Sequence, residues 1–314
     1  MKKILFVWAA LALLILLFSH PALTAAGCSL GLTLWYTAVL PSLLPFLIVS
    51  GLLIRTGLFR YLNRIYAPVL SRLFGISPDG CYAVIAGFLC GFPMGAKTTA
   101  DLVREGCISP EEGTYLLGFC NNVSPAFFLN YICLLKLGYE RPPWALTALF
   151  FAVPLAYGVL SRPFFHFRPV SDKQKHKPLC RIKIKTLDAC LMDSFATVTR
   201  LGGYIVLFTI LIQLLTLTGL PAFSQALSGA FLEVSSGVHA LSALDGIPDR
   251  ICTALCCSCA AFGGLCICAQ TSSVLAGTPL RIRTWIAGRL VVTLLTFLLV
   301  LLLPSAAPAL RGCW

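Results

Sequence analysis

The sequence predicts an all-α, polytopic helical membrane protein made of two inverted-topology halves with broken or re-entrant helices. Three observations predict it. Hydrophobic residues make up 58% of the chain and charged residues only 11%, whereas a typical soluble domain carries about 25% charged residues. The charges gather between long apolar runs instead of being interspersed along them. Finally, similar features recur in the same order on either side of a central basic stretch, with opposite predicted orientation.

A membrane-crossing helix needs about 20 apolar residues, because the hydrocarbon core is about 30 Å thick. Such runs lie at residues 4–26, 29–54, 113–135, 144–160, 196–217, 251–275 and 285–304, with a shorter, glycine-rich run at 81–96. Backbone polar groups in lipid must be satisfied within the segment, so these runs are helices. A β-barrel would show short alternating segments instead. The first run follows Lys2 and Lys3 and reads as a retained N-terminal signal-anchor helix, residues 1–28. A cleaved signal peptide ending near Ala25-Ala26-Gly27 is the alternative.

Residues 162–190 form a basic linker, with Arg168, Lys173, Lys175, Lys177, Arg181, Lys183 and Lys185 facing little acidic charge. Positive residues mark cytoplasmic loops, so this linker is expected inside. It divides a first membrane repeat, residues 29–161, from a second, residues 191–314. With the N-terminus inside, the loop bearing Arg55, Arg60, Arg64 and Arg72 also falls inside. The corresponding second-half loop carries Glu233, Asp245 and Asp249 against Arg250 and falls outside.

Each half continues with a mixed stretch (59–74 and 223–241) and then a glycine- and cysteine-rich segment (86–97 and 259–270). Inverted repeats with broken helices are the build of secondary transporters. The number of crossings closes only if one first-half run turns back. Residues 81–96, interrupted by Gly91, Pro93 and Gly95, are the expected re-entrant segment, and 113–135, broken at Pro125, is the alternative. Irregular backbone at membrane depth is tolerated only where it is buried in protein or lines a cavity, so either choice points to a site.

The net charge of +12 fits cytoplasmic loops. No basic stretch outside the spans is interleaved with aromatics, so nucleic acid is not expected. Most of the 15 cysteines lie inside apolar runs, where free cysteine acts as a small hydrophobe. Cys256-x-x-Cys259 and Cys266-x-Cys268 have no adjacent His or carboxylate, so no metal site and no cofactor are expected. No catalytic constellation is present: there is no Gly-x-Ser-x-Gly, phosphate loop or His-Glu-x-x-His, and the reading is of a non-enzyme.

Three motifs bear on function. In Gly91-Phe92-Pro93-Met94-Gly95-Ala96-Lys97-Thr98, proline and glycines favour an unwound turn. Lys97 then either meets an anionic substrate at a half-helix end or reaches the interface. Ser109-Pro110-Glu111-Glu112 is a capping box that starts a helix, and Ser77-Pro78-Asp79 and Thr278-Pro279 read as similar openings. In Asn121-Asn122-Val123-Ser124-Pro125, two amides in an apolar run are costly unless partnered. They either line a polar pocket or bind helices together. Gln270, Thr271 and Ser272 form the comparable second-half patch. The candidate substrate-binding residues are therefore Gly91, Pro93, Gly95, Lys97, Thr98, Asn121, Asn122, Ser124, Gln270, Thr271 and Ser272.

These motifs, with Phe231-Leu-Glu-Val-Ser-Ser-Gly237, resemble the sporulation integral membrane protein YlbJ family, within the nucleoside recognition or Gate domain group. The resemblance spans residues 30–300 in order. It implies a multi-pass protein of endospore-forming Firmicutes, with Gate domains related to nucleoside transporters. For the sporulation members it implies transport of dipicolinate across a forespore membrane, expected here to be the outer one. The first expectation is thus a secondary transporter of a small organic anion in the cell membrane, working in the lipid bilayer and admitting a coupling ion and a homo-oligomer. A nucleoside transporter and a non-transporting sporulation scaffold are the alternatives.

Overall fold

The structure, a computed structural model, describes residues 2–167 and 184–303. Most of the basic linker, 168–183, lies outside the described residues. Every described element is helical. Four helices, Trp144–Phe164, Ile184–Thr218, Asp249–Leu275 and Ile282–Leu302, are long and apolar enough to cross a membrane. Two bent pairs bring that number to six if each pair is one span. The chain is therefore an all-α, multi-pass membrane protein.

The first helix, α1 (Lys2–Ser19), ends at His20. The expected boundary at residues 26–29 is thus too late: Pro21 disfavours helical backbone at the residue before it, and the axis turns by 102° there. From there α2 (Pro21–Leu34) passes through a π-wound stretch (Trp35–Val39) into α3 (Leu40–Thr56). Gly57 then closes α3 in the left-handed region, φ 75°, and α4 (Phe59–Phe74) leaves at 91°. Its Phe59, Asn63, Ala67 and Phe74 face the protein, while Leu62, Ile65, Val69 and Leu73 form an exposed apolar stripe beside Arg64. That pattern suits a helix lying in the membrane interface.

Next, α5 (Pro78–Cys90) and α6 (Met94–Arg104) fold back on each other through Gly91-Phe92-Pro93. Run 81–96 therefore does not cross; it is the turn of a hairpin. The close approach needs glycine: a Cβ on Gly87 would lie 2.9 Å from the Gly95 Cα and 1.8 Å from the Cys120 carbonyl oxygen. Run 113–135 is split into α7 (Pro110–Cys120) and a π-wound helix, π1 (Phe127–Lys136), by a non-helical segment at 121–124. α8 (Trp144–Ser161) follows.

In the second half, α9 (Ile184–Leu215) starts before residue 196, taking in the end of the expected linker. α10 (Ala222–Leu232) and α11 (Val234–Ser242) make a second hairpin around Glu233. α12 (Asp249–Phe262) and α13 (Gly264–Leu275) are separated at Gly263, and α14 (Ile282–Leu302) follows. The expected N-cap at Thr278 is instead a turn, with the Leu280 amide donating to Thr278 Oγ1 at 3.3 Å.

Connectivity gives two faces. On one, α6 and α13 end together, since Arg104 Nη2 donates to the Val274 and Ala276 carbonyls at 2.7 and 2.8 Å. On the other, Lys136 meets His239 at 3.1 Å and Arg250 donates to the Leu303 carbonyl at 2.8 Å. The first hairpin enters from the first face, which also holds the ends of the linker, and the second hairpin enters from the opposite face. The order hairpin, broken helix, helix occurs twice with reversed direction. This corrects the sequence pairing: hairpin α5–α6 corresponds to α10–α11, not to the segment 259–270, whose break at Gly263 corresponds to 121–124. Both segments are rich in glycine and cysteine because both pack backbone closely, and composition cannot tell a turn from a break.

Candidate substrate-binding site

Both hairpin tips and both helix breaks meet in the interior. A Cβ on Gly91 would lie 2.7 Å from the Ser124 amide, so the first tip rests on the first break. A Cβ on Gly264 would lie 2.9 Å from the Leu232 carbonyl, so the second tip rests on the second. Helices that stop mid-span leave amides and carbonyls without intrahelical partners, and side chains take up several of them here. Ser124 Oγ accepts from the Phe127 amide at 3.2 Å, starting π1. Glu233 accepts from the Ser235 and Ser236 amides at 2.9 and 2.8 Å, starting α11.

Between these ends lies a cavity of about 400 Å³. Phe92, Val123, Phe127, Leu43 and Ile267 give it apolar walls, and Ser124, Asn130, Tyr131, Glu233, Ser235 and Gln270 supply polar groups. Mostly apolar walls with a few convergent polar groups are the usual form of a small-molecule site. Glu233 is the one acid or base of full charge among the described lining residues. Its side chain is 5% exposed, and the Tyr131 hydroxyl donates to the Ser235 carbonyl beside it at 2.9 Å.

Of the residues expected from sequence, Gly91, Ser124 and Gln270 line this cavity. Gln270 Nε2 lies 3.3 Å from Cys266 Sγ. Pro93 precedes α6, and Gly95 packs against Asn121 and Cys120. Asn121 joins the halves: its Oδ1 accepts from the Ala96 amide at 3.3 Å, and its Nδ2 donates to Thr271 Oγ1 at 3.2 Å. Asn122 is turned away, donating to the Phe119 carbonyl at 2.7 Å and accepting from Arg289 at 2.6 Å. The Thr98 hydroxyl is buried, with no hydrogen-bond partner among the described residues. Ser272 is exposed and stands apart.

Lys97 is not at the cavity. Its Nζ lies 2.8 and 2.9 Å from the Asp101 carboxylate and 2.9 Å from Asp193 of α9. With Arg55, Arg104 and Arg200 these groups line a separate space of about 200 Å³ at the first face. A lysine on the second turn of α6 has a carboxylate at i+4, and that pairing, rather than a half-helix end, sets its direction.

The sequence reading left out Asn130, Tyr131, Ser235 and Arg289 and gave Glu233 no place in the site. Glu233 and Arg289 carried a usable signal: each is a lone charge near or within an apolar run, and such charges mark function by default. Only the serine half of the expected capping box forms, with the Glu112 amide donating to Ser109 Oγ at 3.1 Å. The Glu112 carboxylate instead accepts from the Ser77 amide at 2.7 Å, tying α7 to the start of α5. Thirteen described cysteines are unbridged. Cys259 Sγ lies 3.6 Å from the Ala230 carbonyl and 3.7 Å from that of Val234, so it packs against the second hairpin.

No family model matches the chain, and no solved structure matches it. The chain is similar to the sporulation integral membrane protein YlbJ of Bacillus subtilis (strain 168), with 26% identity over 311 residues, 87% of this chain and 75% of that protein. Similarity through most of the chain agrees with the resemblance to the sporulation integral membrane protein YlbJ family read from its motifs.

Proposed function

We propose that the chain is a secondary transporter of a small organic anion, dipicolinate during sporulation, which holds its substrate at the broken helices near the bilayer midplane. The observation that carries this reading is the coincidence of one cavity of about 400 Å³ with two hairpin tips and two helix breaks. A protein that only had to span the membrane would gain stability from continuous helices. Breaks at both halves cost backbone hydrogen bonds, and transporters use such breaks to hold substrate between repeats that rock against each other. The relative's name, a sporulation integral membrane protein, supports a sporulation setting; the outer forespore membrane is the location this proposal adds.

The lining also favours a second reading. Glu233 contributes negative charge, and Asn130, Ser235 and Gln270 are neutral hydrogen-bonding groups. That set suits a neutral, hydroxyl-rich ligand such as a nucleoside. A dicarboxylate would need a proton or cation beside Glu233, which is where a coupling ion belongs in the first reading.

Equilibrium binding of purified protein to dipicolinate and to a panel of nucleosides separates these readings. Saturable dipicolinate binding, and uptake into proteoliposomes, are expected. Nucleoside binding alone would favour the second reading. Binding of neither, by folded protein, would leave the scaffold reading.

A further inference from the structure

Arg289 lies within α14 and is 1% exposed. Among the described residues no carboxylate pairs with it. A guanidinium buried at membrane depth without a counter-ion is costly, so its surroundings must supply negative charge of another kind. They do so through the end of α7. Arg289 Nη2 donates to the Gly118 carbonyl at 3.2 Å and Nη1 to Asn122 Oδ1 at 2.6 Å. Asn122 Nδ2 in turn donates to the Phe119 carbonyl at 2.7 Å.

The amides that would have satisfied Gly118 and Phe119 in a continuous helix belong to Asn122 and Val123, inside the break. Arg289 and the Asn122 side chain take their place. The C-terminal end of a helix carries partial negative charge, so it favours a cation. In ion-driven transporters with broken helices, such helix ends and unwound carbonyls hold the coupling cation. Gly288 lets α14 come close enough: a Cβ there would lie 2.6 Å from the same Gly118 carbonyl.

We propose that Arg289 is a tethered cation at the break of α7, filling the place that a bound metal cation takes at a comparable helix end. It is a positioning residue: it holds 121–124 unwound and keeps Asn122 out of substrate contact. Only the comparison with ion-driven transporters rests on the transporter reading; the tethered-cation geometry does not.

The test is the midpoint of thermal unfolding of purified full-length protein, measured in guanidinium, sodium or tetramethylammonium chloride at low millimolar concentration and constant ionic strength. Arg289→Ala is expected to lower the midpoint by roughly 5–10 °C, from the loss of two charge-assisted hydrogen bonds. Guanidinium should restore at least half of the loss in that variant and leave the wild type unchanged, and Arg289→Lys should retain most of the stability. No recovery with guanidinium, or the same shift in the wild type, overturns the proposal. If Arg289→Ala does not accumulate, Arg289→Lys and Arg289→Gln decide: the lysine variant, which keeps the cation, is expected to unfold at a higher midpoint than the glutamine variant, and the reverse order would overturn the proposal. None of these readouts requires uptake, so failure of the transporter reading would be seen separately in proteoliposomes.

Discussion

Lys97 Nζ lies 2.9 Å from the Asp193 carboxylate, so the first hairpin is held to α9 of the second half by an ion pair. Lys97 keeps only 8% of its side-chain surface exposed, while Asp193 keeps 44%. Asp101, on the same side of Lys97, is 18% exposed. The arrangement is a link between halves, half open to water, and any movement of the hairpin against α9 must break or carry it.

Removing one partner should therefore matter more than removing both. Lys97→Ala leaves Asp101 with Arg104 alone, at 2.8 Å, and Asp193 with Arg55 alone, at 3.7 Å, and is expected to cost about 1–3 kcal/mol of stability, discounted for the exposure of Asp193. The reversed pair Lys97→Asp with Asp193→Lys is expected to recover part of the cross-half link, because Asp101 stays beside the new aspartate. A double-mutant cycle on unfolding midpoints measures the coupling, and a coupling energy of zero would remove the link.

Glu233 has two separable roles, capping α11 and charging the cavity. Glu233→Ala loses the cap and is expected to cost about 0.5–2 kcal/mol. Glu233→Gln keeps an acceptor for one of the two amides, since each carboxylate oxygen takes one of them, and removes the charge. In buffer without added metal cations, its equilibrium affinity for an anionic substrate should rise, by about tenfold for each 1.4 kcal/mol of repulsion removed. Weaker dipicolinate binding by Glu233→Gln would contradict the expected repulsion, and weaker nucleoside binding would support the second reading.

Asn121 joins α6 to α13 through one amide, so Asn121→Ala leaves the Ala96 amide and the Thr271 hydroxyl short of a partner. The expected cost is about 1–3 kcal/mol, with uptake lost in vesicles while the protein still inserts. Uptake at the wild-type rate would remove Asn121 from the working site.

The hairpin tip predicts a sharp contrast among glycines. Gly95→Ala would place a Cβ 2.4 Å from the Cys120 carbonyl oxygen and should prevent the tip from seating, seen as loss of folded protein in detergent chromatography. Gly203→Ala, in α9 with nothing within 4 Å of the new atom, should be neutral or stabilising by up to about 1 kcal/mol. Equal behaviour of the two variants would contradict the packing.

Cys90 lines the cavity, whereas Cys256 and Cys257 are buried among helices. In a variant retaining Cys90 as its reactive thiol, a bound substrate should slow maleimide modification severalfold. Unchanged modification at saturating ligand would place the ligand elsewhere.

Much of this was legible in the chain. Apolar runs of about 20 residues can only be helices in lipid, so composition and run length by themselves determined an all-α membrane protein. Gly91 and Pro93 marked a turn, and Asn121 to Pro125 marked a break, because proline and paired amides are incompatible with an unpartnered continuous helix in lipid. What local sequence could not hold is which broken segment crosses and which folds back, since both use the same small residues for close packing. Nor could it show that Lys97 faces Asp193, or that Asn122 is taken up by Arg289, because those partners lie 96 and 167 residues away in the chain. Tertiary structure decided them by bringing helix ends from both halves to one place, where each unpaired carbonyl and each buried charge had to find a partner.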